Sequence, residues 1–122
     1  MPIKNILVVD DSPTDRQHLS DILAKSGYVV TIAESAEEAL AKVKQKRPDL
    51  VLMDVVMPGQ NGYQATRTLS KDENTKNIPV IICTTKGQET DRIWGMRQGA
   101  RDYIVKPISP ADLLAKISAL GK

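Results

Sequence analysis

The sequence predicts an α/β fold, a doubly wound parallel sheet of five strands with helices on both faces, and three observations carry that expectation. Five short β-rich apolar runs recur along 122 residues, each followed by a stretch with apolar residues at helical spacing. Several runs are apolar without alternation, as in strands covered on both sides. The punctuation between them is that of helix starts and stops. Strand and helix alternate throughout, so a parallel sheet with right-handed crossovers is the economical arrangement.

The elements follow in order. Ile3 to Val9 contains ILVV and ends at Asp10 and Asp11. Ser12 and Pro13 supply a cap and a first-turn proline for a helix through Leu19, Ile22 and Leu23, which Gly27 stops. Tyr28 to Ala33 is the second strand. Ser35, with Glu38 three residues on, caps a helix whose stripe is Ala36, Ala39, Leu40 and Val43, and Pro48 closes it. LVLMDVVMPG, Leu50 to Gly59, is the third strand ending in Asp54, then a loop opening with Met57, Pro58 and Gly59. A helix using Tyr63, Thr66 and Leu69 follows, and Asp72 to Asn77 is polar throughout. Pro79 to Cys83 is the fourth strand, ending at Thr84 and Thr85. The next helix runs from near Gln88 to Gln98, with Ile93 and Met96 expected inward and Gly99 as its stop. Asp102 to Val105 is a short fifth strand ending at Lys106 before Pro107. Ser109 and Pro110 start a last helix with Leu113, Leu114, Ile117 and Leu120 on or near one face. With no repeat or linker, residues 1–122 read as one domain.

Composition narrows the function classes. Charged residues are 26% and the formal net charge is +2, with Lys and Arg dispersed, which is weak support for a nucleic-acid or membrane partner. The aromatics are Tyr28, Tyr63, Trp94 and Tyr103, so no base-stacking platform is visible. Cys83 is alone, which excludes an internal disulfide and suits a reducing compartment. No apolar segment is long enough to span a bilayer and no signal-peptide core is present, so a cytoplasmic location is expected.

In such sheets ligands bind beyond the carboxyl ends of the strands. The polar residues there are Asp10 and Asp11 after the first strand, Asp54 after the third, Thr84 after the fourth and Lys106 after the fifth. A lone carboxylate beside an apolar run needs compensation. Three carboxylates together favour a hard divalent cation with oxygen ligands, for which Mg²⁺ is the usual candidate, and Lys106 adds a fixed positive charge. A metal, a lysine and a hydroxyl around one carboxylate suit receipt of a phosphoryl group, with Asp54 as nucleophile forming an acyl phosphate. His18, the sole histidine, lies within the first helix, so a Ser-His-Asp mechanism has no plausible geometry.

VVDDS, LMDVVMPGQNG, PVIICTT and DYIVKP together resemble the receiver domain of two-component response regulators, the CheY-like family, over essentially the whole chain. The resemblance implies the flavodoxin-like strand order 2-1-3-4-5, which CheY itself exemplifies. It implies a histidine kinase as phosphodonor and Asp54 as phosphoacceptor, in a protein that is no enzyme in the ordinary sense but catalyses its own phosphorylation and dephosphorylation. Asp11, Asp54 and the Val56 backbone carbonyl would bind Mg²⁺ directly, and Asp10 largely through water. Lys106 would contact the phosphoryl oxygens, with a cis bond to Pro107. Thr84 and Tyr103 would form the switch pair, changing the face of the fourth helix, fifth strand and fifth helix. Val56 and Lys86 would flank the path of the hydrolytic water and tune the acyl phosphate lifetime. With no output domain in view, the resemblance implies a stand-alone regulator acting on a downstream protein, a monomer with dimerisation on activation as an option. IWGMRQGARDYIVKP looks like the receivers of twitching-motility chemosensory systems.

Plainer readings stand beside these. Thr84 alone reads as a strand-end hydroxyl, Tyr103 as half-buried packing, Cys83 as a small core residue and His18 as a solvated helix residue. Trp94 reads as core or, with Arg92 and Arg97 nearby, as a partner surface, the reading preferred here. The rival classes are a flavodoxin-type electron carrier, a metal-dependent phosphatase and a phosphorylation-independent adaptor. Within the family, a phosphate sink or a phosphorelay intermediate for a sister regulator is the alternative to a signal carrier.

Overall fold

The computed structural model describes residues 3–57 and 61–121, so Pro58 and Gly59 of the expected loop lie outside the described residues. The chain runs β1 (Asn5–Val9), α1 (Pro13–Lys25), β2 (Val29–Ala33), α2 (Ala36–Gln45), β3 (Leu50–Met53), α3 (Gly62–Lys71), β4 (Val80–Thr84), α4 (Glu89–Arg97), β5 (Asp102–Val105) and α5 (Pro110–Leu120). The strands form one sheet in the order β2-β1-β3-β4-β5, every pair parallel. Both the fold class and the strand order are those expected.

The unbroken apolar runs are explained by two main cores and a smaller cluster of Val55, Tyr63, Ile82, Ala100 and Tyr103. Leu7, Val9, Val51, Met53 and Val80 pack on one face with Ala39, Val43, Ala65 and Leu69 of α2 and α3. Ile6, Val8, Leu50, Leu52, Ile81 and Cys83 alternate with them and pack on Leu19, Leu23, Leu113 and Ile117 of α1 and α5. Each central strand therefore needs apolar side chains at successive positions. β2 is an edge, and Val29 and Ile32 are accordingly exposed.

Caps set the helix starts. Ser12, Ser35, Asn61 and Ser109 accept the backbone N–H of Asp15, Glu38, Gln64 and Asp112, respectively. The polar stretch after α3 is anchored by Thr75, whose buried hydroxyl donates to the Leu69 carbonyl at 2.6 Å.

Two expectations are corrected. The first strand begins at Asn5 rather than Ile3, because the N–H groups of Lys4 and Asn5 turn to the Asp49 carboxylate, each at 2.9 Å. Those two donors hold the Asp49 carboxyl below the usual range. Replacing Asp49 with alanine is expected to cost about 1 kcal/mol near neutral pH. The sign follows from the lowered folded-state pKa: the contribution is present above the ordinary carboxylate value and is lost as pH falls through the depressed one. Urea titrations of both proteins at pH 7 and in acid check this, and an equal gap at both would refute it.

The second correction is α4. Ile93 and Met96 are 47% and 42% exposed, and the buried residue of the helix is Gly95. The helix has no apolar stripe wide enough to seat it. It approaches the sheet through a position without a side chain, where a Cβ would lie 2.8 Å from Ile82 Cδ1 and 3.1 Å from the Tyr103 ring. Trp94 is likewise 49% exposed, so it is not part of the core.

Candidate functional site

Register brings the acids together. Val9 pairs with Met53, so Asp10 and Asp54 leave the sheet side by side, and Thr84 pairs with Val105, so Lys106 follows one residue further on. The backbone stays ordered past the strand ends: the N–H of Asp10 donates to Ala33, that of Asp54 to Val9 and that of Lys106 to Thr84. Lys106 is joined to Pro107 by a cis peptide bond, as the resemblance implied.

The Lys106 ammonium is the hub. It donates to Asp10 Oδ2 at 2.6 Å, Asp15 Oδ2 at 2.9 Å and Asp54 Oδ2 at 3.1 Å, using all three of its protons. Asp10 is 1% and Asp54 6% exposed. The other oxygen of Asp10 accepts the Ser12 N–H, and that of Asp54 accepts the Val56 N–H at 3.0 Å. Burial raises the Asp10 carboxyl above the usual range and outweighs the pull of Lys106 and Ser12, while the Asp54 charge adds to the rise. Burial alone would lower Lys106, but its hydrogen bonds to Asp10 and Asp15 and the charge of Asp54 prevail and hold it above its ordinary value.

Asp11 is exposed, yet one of its oxygens lies with oxygens of Asp10 and Asp54 in a group all within 4.8 Å of one another. Three carboxylates, Asp10, Asp15 and Asp54, thus share one ammonium, and Asp11 lies beside two of them. The surplus of negative charge and the hard oxygen donors fit a divalent cation of the Mg²⁺ type.

Two residues here escaped sequence reasoning. Asp15 is the third partner of Lys106, and its signal was a first-turn acid on the Ser12-capped helix. Arg16 is buried, donating to the Asp10 carbonyl at 2.8 Å and to Glu34 at 3.1 Å, so it braces the β1–α1 turn against the end of β2. A lone arginine inside an amphipathic helix gives no such signal.

Thr84, Lys86 and Tyr103 meet on the β4–α4 side. Thr84 is fully buried and its hydroxyl accepts the Lys86 N–H at 3.4 Å. Tyr103 is 3% exposed and donates to the Lys86 carbonyl at 2.7 Å. Its oxygen sits 3.3 Å from that of Tyr63, which donates to the Asp91 carbonyl. Burial, with the neighbouring Tyr63, pushes the Tyr103 phenol up, so it stays a neutral donor. Val56 and Lys86 are both exposed at the rim. Cys83 is buried, and burial pushes its thiol up to about 12, which makes it an inert core residue. His18 is exposed on α1.

A doubly wound sheet with a carboxylate-lysine cluster at the carboxyl ends of β1, β3 and β5 defines a class, and the comparisons agree: the chain belongs to the response regulator receiver domain family, matched over residues 6–118. Among particular relatives, Protein PilH of Pseudomonas aeruginosa is 56% identical over 115 residues, 94% of this chain and 95% of PilH. The phosphate regulon transcriptional regulatory protein PhoB of the same organism is 41% identical over 117 residues, and there the chain spans 51% of PhoB. The solved structure of Vibrio cholerae chemotaxis protein CheY4 superposes with a TM-score of 0.90 at 32% identity, over 97% of this chain and 98% of that one. The BeF3-activated DrrB receiver domain does so with 0.86 at 28% identity, over 98% and 97%. Among the described residues no helix is long and apolar enough to cross a membrane.

Proposed function

We propose that this chain is a response regulator receiver that takes a phosphoryl group from a histidine kinase onto Asp54. The observation that carries the reading is one partly buried ammonium, Lys106, in contact with both Asp54 and Asp10 inside a carboxylate set with surplus negative charge. Asp11, Asp54 and the Val56 carbonyl would hold Mg²⁺ directly, with Asp10 largely through water. The metal would supply neutralisation of charge on the phosphoryl oxygens. An Asp54 carboxylate oxygen attacks phosphorus, the P–N bond to the donor imidazole breaks, and that nitrogen takes up a proton. Lys106 exchanges a carboxylate contact for a phosphoryl oxygen. Thr84 and Tyr103 then transmit the change to the α4–β5–α5 face, which a downstream target reads. The similarity to PilH, and the IWGMRQGARDYIVKP stretch, favour a chemotaxis-like or twitching-motility pathway.

Intact mass after acetyl phosphate and Mg²⁺ tests the reading. Wild type is expected to gain one phosphoryl group, and Asp54→Ala or wild type with a chelator is expected to gain none. An unmodified wild type would sink it. For lifetime, the double variant Val56→Asn, Lys86→Glu is expected to change the dephosphorylation rate about tenfold, since each residue sits beside the hydrolytic path. An unchanged rate by the same mass assay would remove both residues from that role.

A further inference from the structure

The geometry points to a second interaction surface, the groove between α3 and α4, as a docking site for an acidic segment of a partner protein. The groove is open, with a volume of about 300 Å³, and it lies on the α3 side of α4, so neither β5 nor α5 lines it. Arg67 and Lys71 face it from successive turns of α3, and Trp94 and Arg97 from successive turns of α4. Ser70 donates to the Gln98 carbonyl at 2.9 Å and ties the two helices together at one end.

This groove joins positive charge to an exposed aromatic. Three cations line it and no acidic residue does. The ion pairs of the described residues engage Arg16, Lys42, Lys76, Lys106 and Lys116, leaving Arg67, Lys71 and Arg97 without a carboxylate within ion-pair distance. Like charges gathered on two adjacent helices repel unless a counter-charge is supplied from outside. The half-exposed Trp94 indole forms a wall beside them, an apolar surface that a charged ligand alone would leave uncovered. Carboxylates on the two guanidiniums and the Lys71 ammonium, with an apolar side chain against the indole, satisfy all four residues at once. A single aromatic and a groove tied across one end suit a short peptide better than a nucleic-acid strand, which needs successive stacking faces along an open track.

Selection from a random peptide display library on the full chain tests this, followed by titration of the enriched peptide while reading Trp94, the sole tryptophan. The expected enrichment is two or more acids flanking an apolar residue. Combined Arg67→Gln, Lys71→Gln and Arg97→Gln substitutions should weaken that peptide at least about tenfold, and raising NaCl from about 50 to about 500 mM should weaken it several-fold. All three positions are exposed, and an unchanged melting midpoint confirms that the variant is folded. Enrichment without acids, or binding undiminished in the variant, overturns the proposal. So does an oligothymidine that moves Trp94 emission where no peptide does. The selection needs no phosphorylation, so failure of Asp54 to be modified leaves this result independent.

Discussion

Lys106→Ala is expected to destabilise the metal-free protein by about 3 kcal/mol and to slow Asp54 phosphorylation by more than about a hundredfold. The stability loss comes from Asp10 and Asp54, whose side chains are 1% and 8% exposed and lose their shared counter-charge at 2.6 and 3.1 Å. Asp15 contributes little, because its side chain is 44% exposed and solvent screens the pair. Two buried carboxylates would then face each other with Asp11 beside them. Mg²⁺ should recover part of the lost stability, since a divalent cation among the same oxygens replaces the missing charge. It should not recover the phosphorylation rate, because the donor proposed to contact the phosphoryl oxygens is gone. Urea unfolding with and without Mg²⁺, beside an intact-mass time course, separates the two effects. A variant as stable as wild type without metal would show that the ammonium is not what compensates the buried acids.

Gly62→Ala is expected to destabilise by about 2–3 kcal/mol and to lower the phosphorylation rate at least about tenfold. A Cβ at this position would lie 2.1 Å from the Asp54 carbonyl oxygen and 2.8 Å from Val55 Cα. Those are backbone atoms, so relief requires α3 or the Asp54 loop to shift. Helix propensity works in the opposite direction, because alanine is better than glycine within a helix by about 1 kcal/mol. A net loss therefore reports the contact itself. Gly121→Ala is the control, since its Cβ would meet nothing nearer than 3.6 Å and should leave both stability and rate unchanged. Equal behaviour of the two variants would remove Gly62 from any role in placing Asp54.

The sequence by itself determined the sheet, the helix starts and the residues that gather at one edge. Apolar runs without alternation can bury both faces only inside a covered parallel sheet, and Ser12, Ser35 and Ser109 mark helix starts by local hydrogen bonding. Asp10, Asp54, Thr84 and Lys106 were legible because each stands at or just beyond the end of a β-rich run, where a parallel sheet converges. Tertiary structure alone decided the rest. Asp15, Arg16 and Tyr63 act across elements through single side-chain reaches that no periodicity encodes. The outward turn of Ile93 and Met96 follows from how closely Gly95 lets α4 approach Ile82 and Tyr103, a distance set by a neighbouring element. The cationic groove arises in the same way, since Arg67 and Arg97 are far apart in the chain and become neighbours only when α3 and α4 pack side by side. Local spacing governs what a segment forms, and the identity of the atoms it meets is settled by packing between segments.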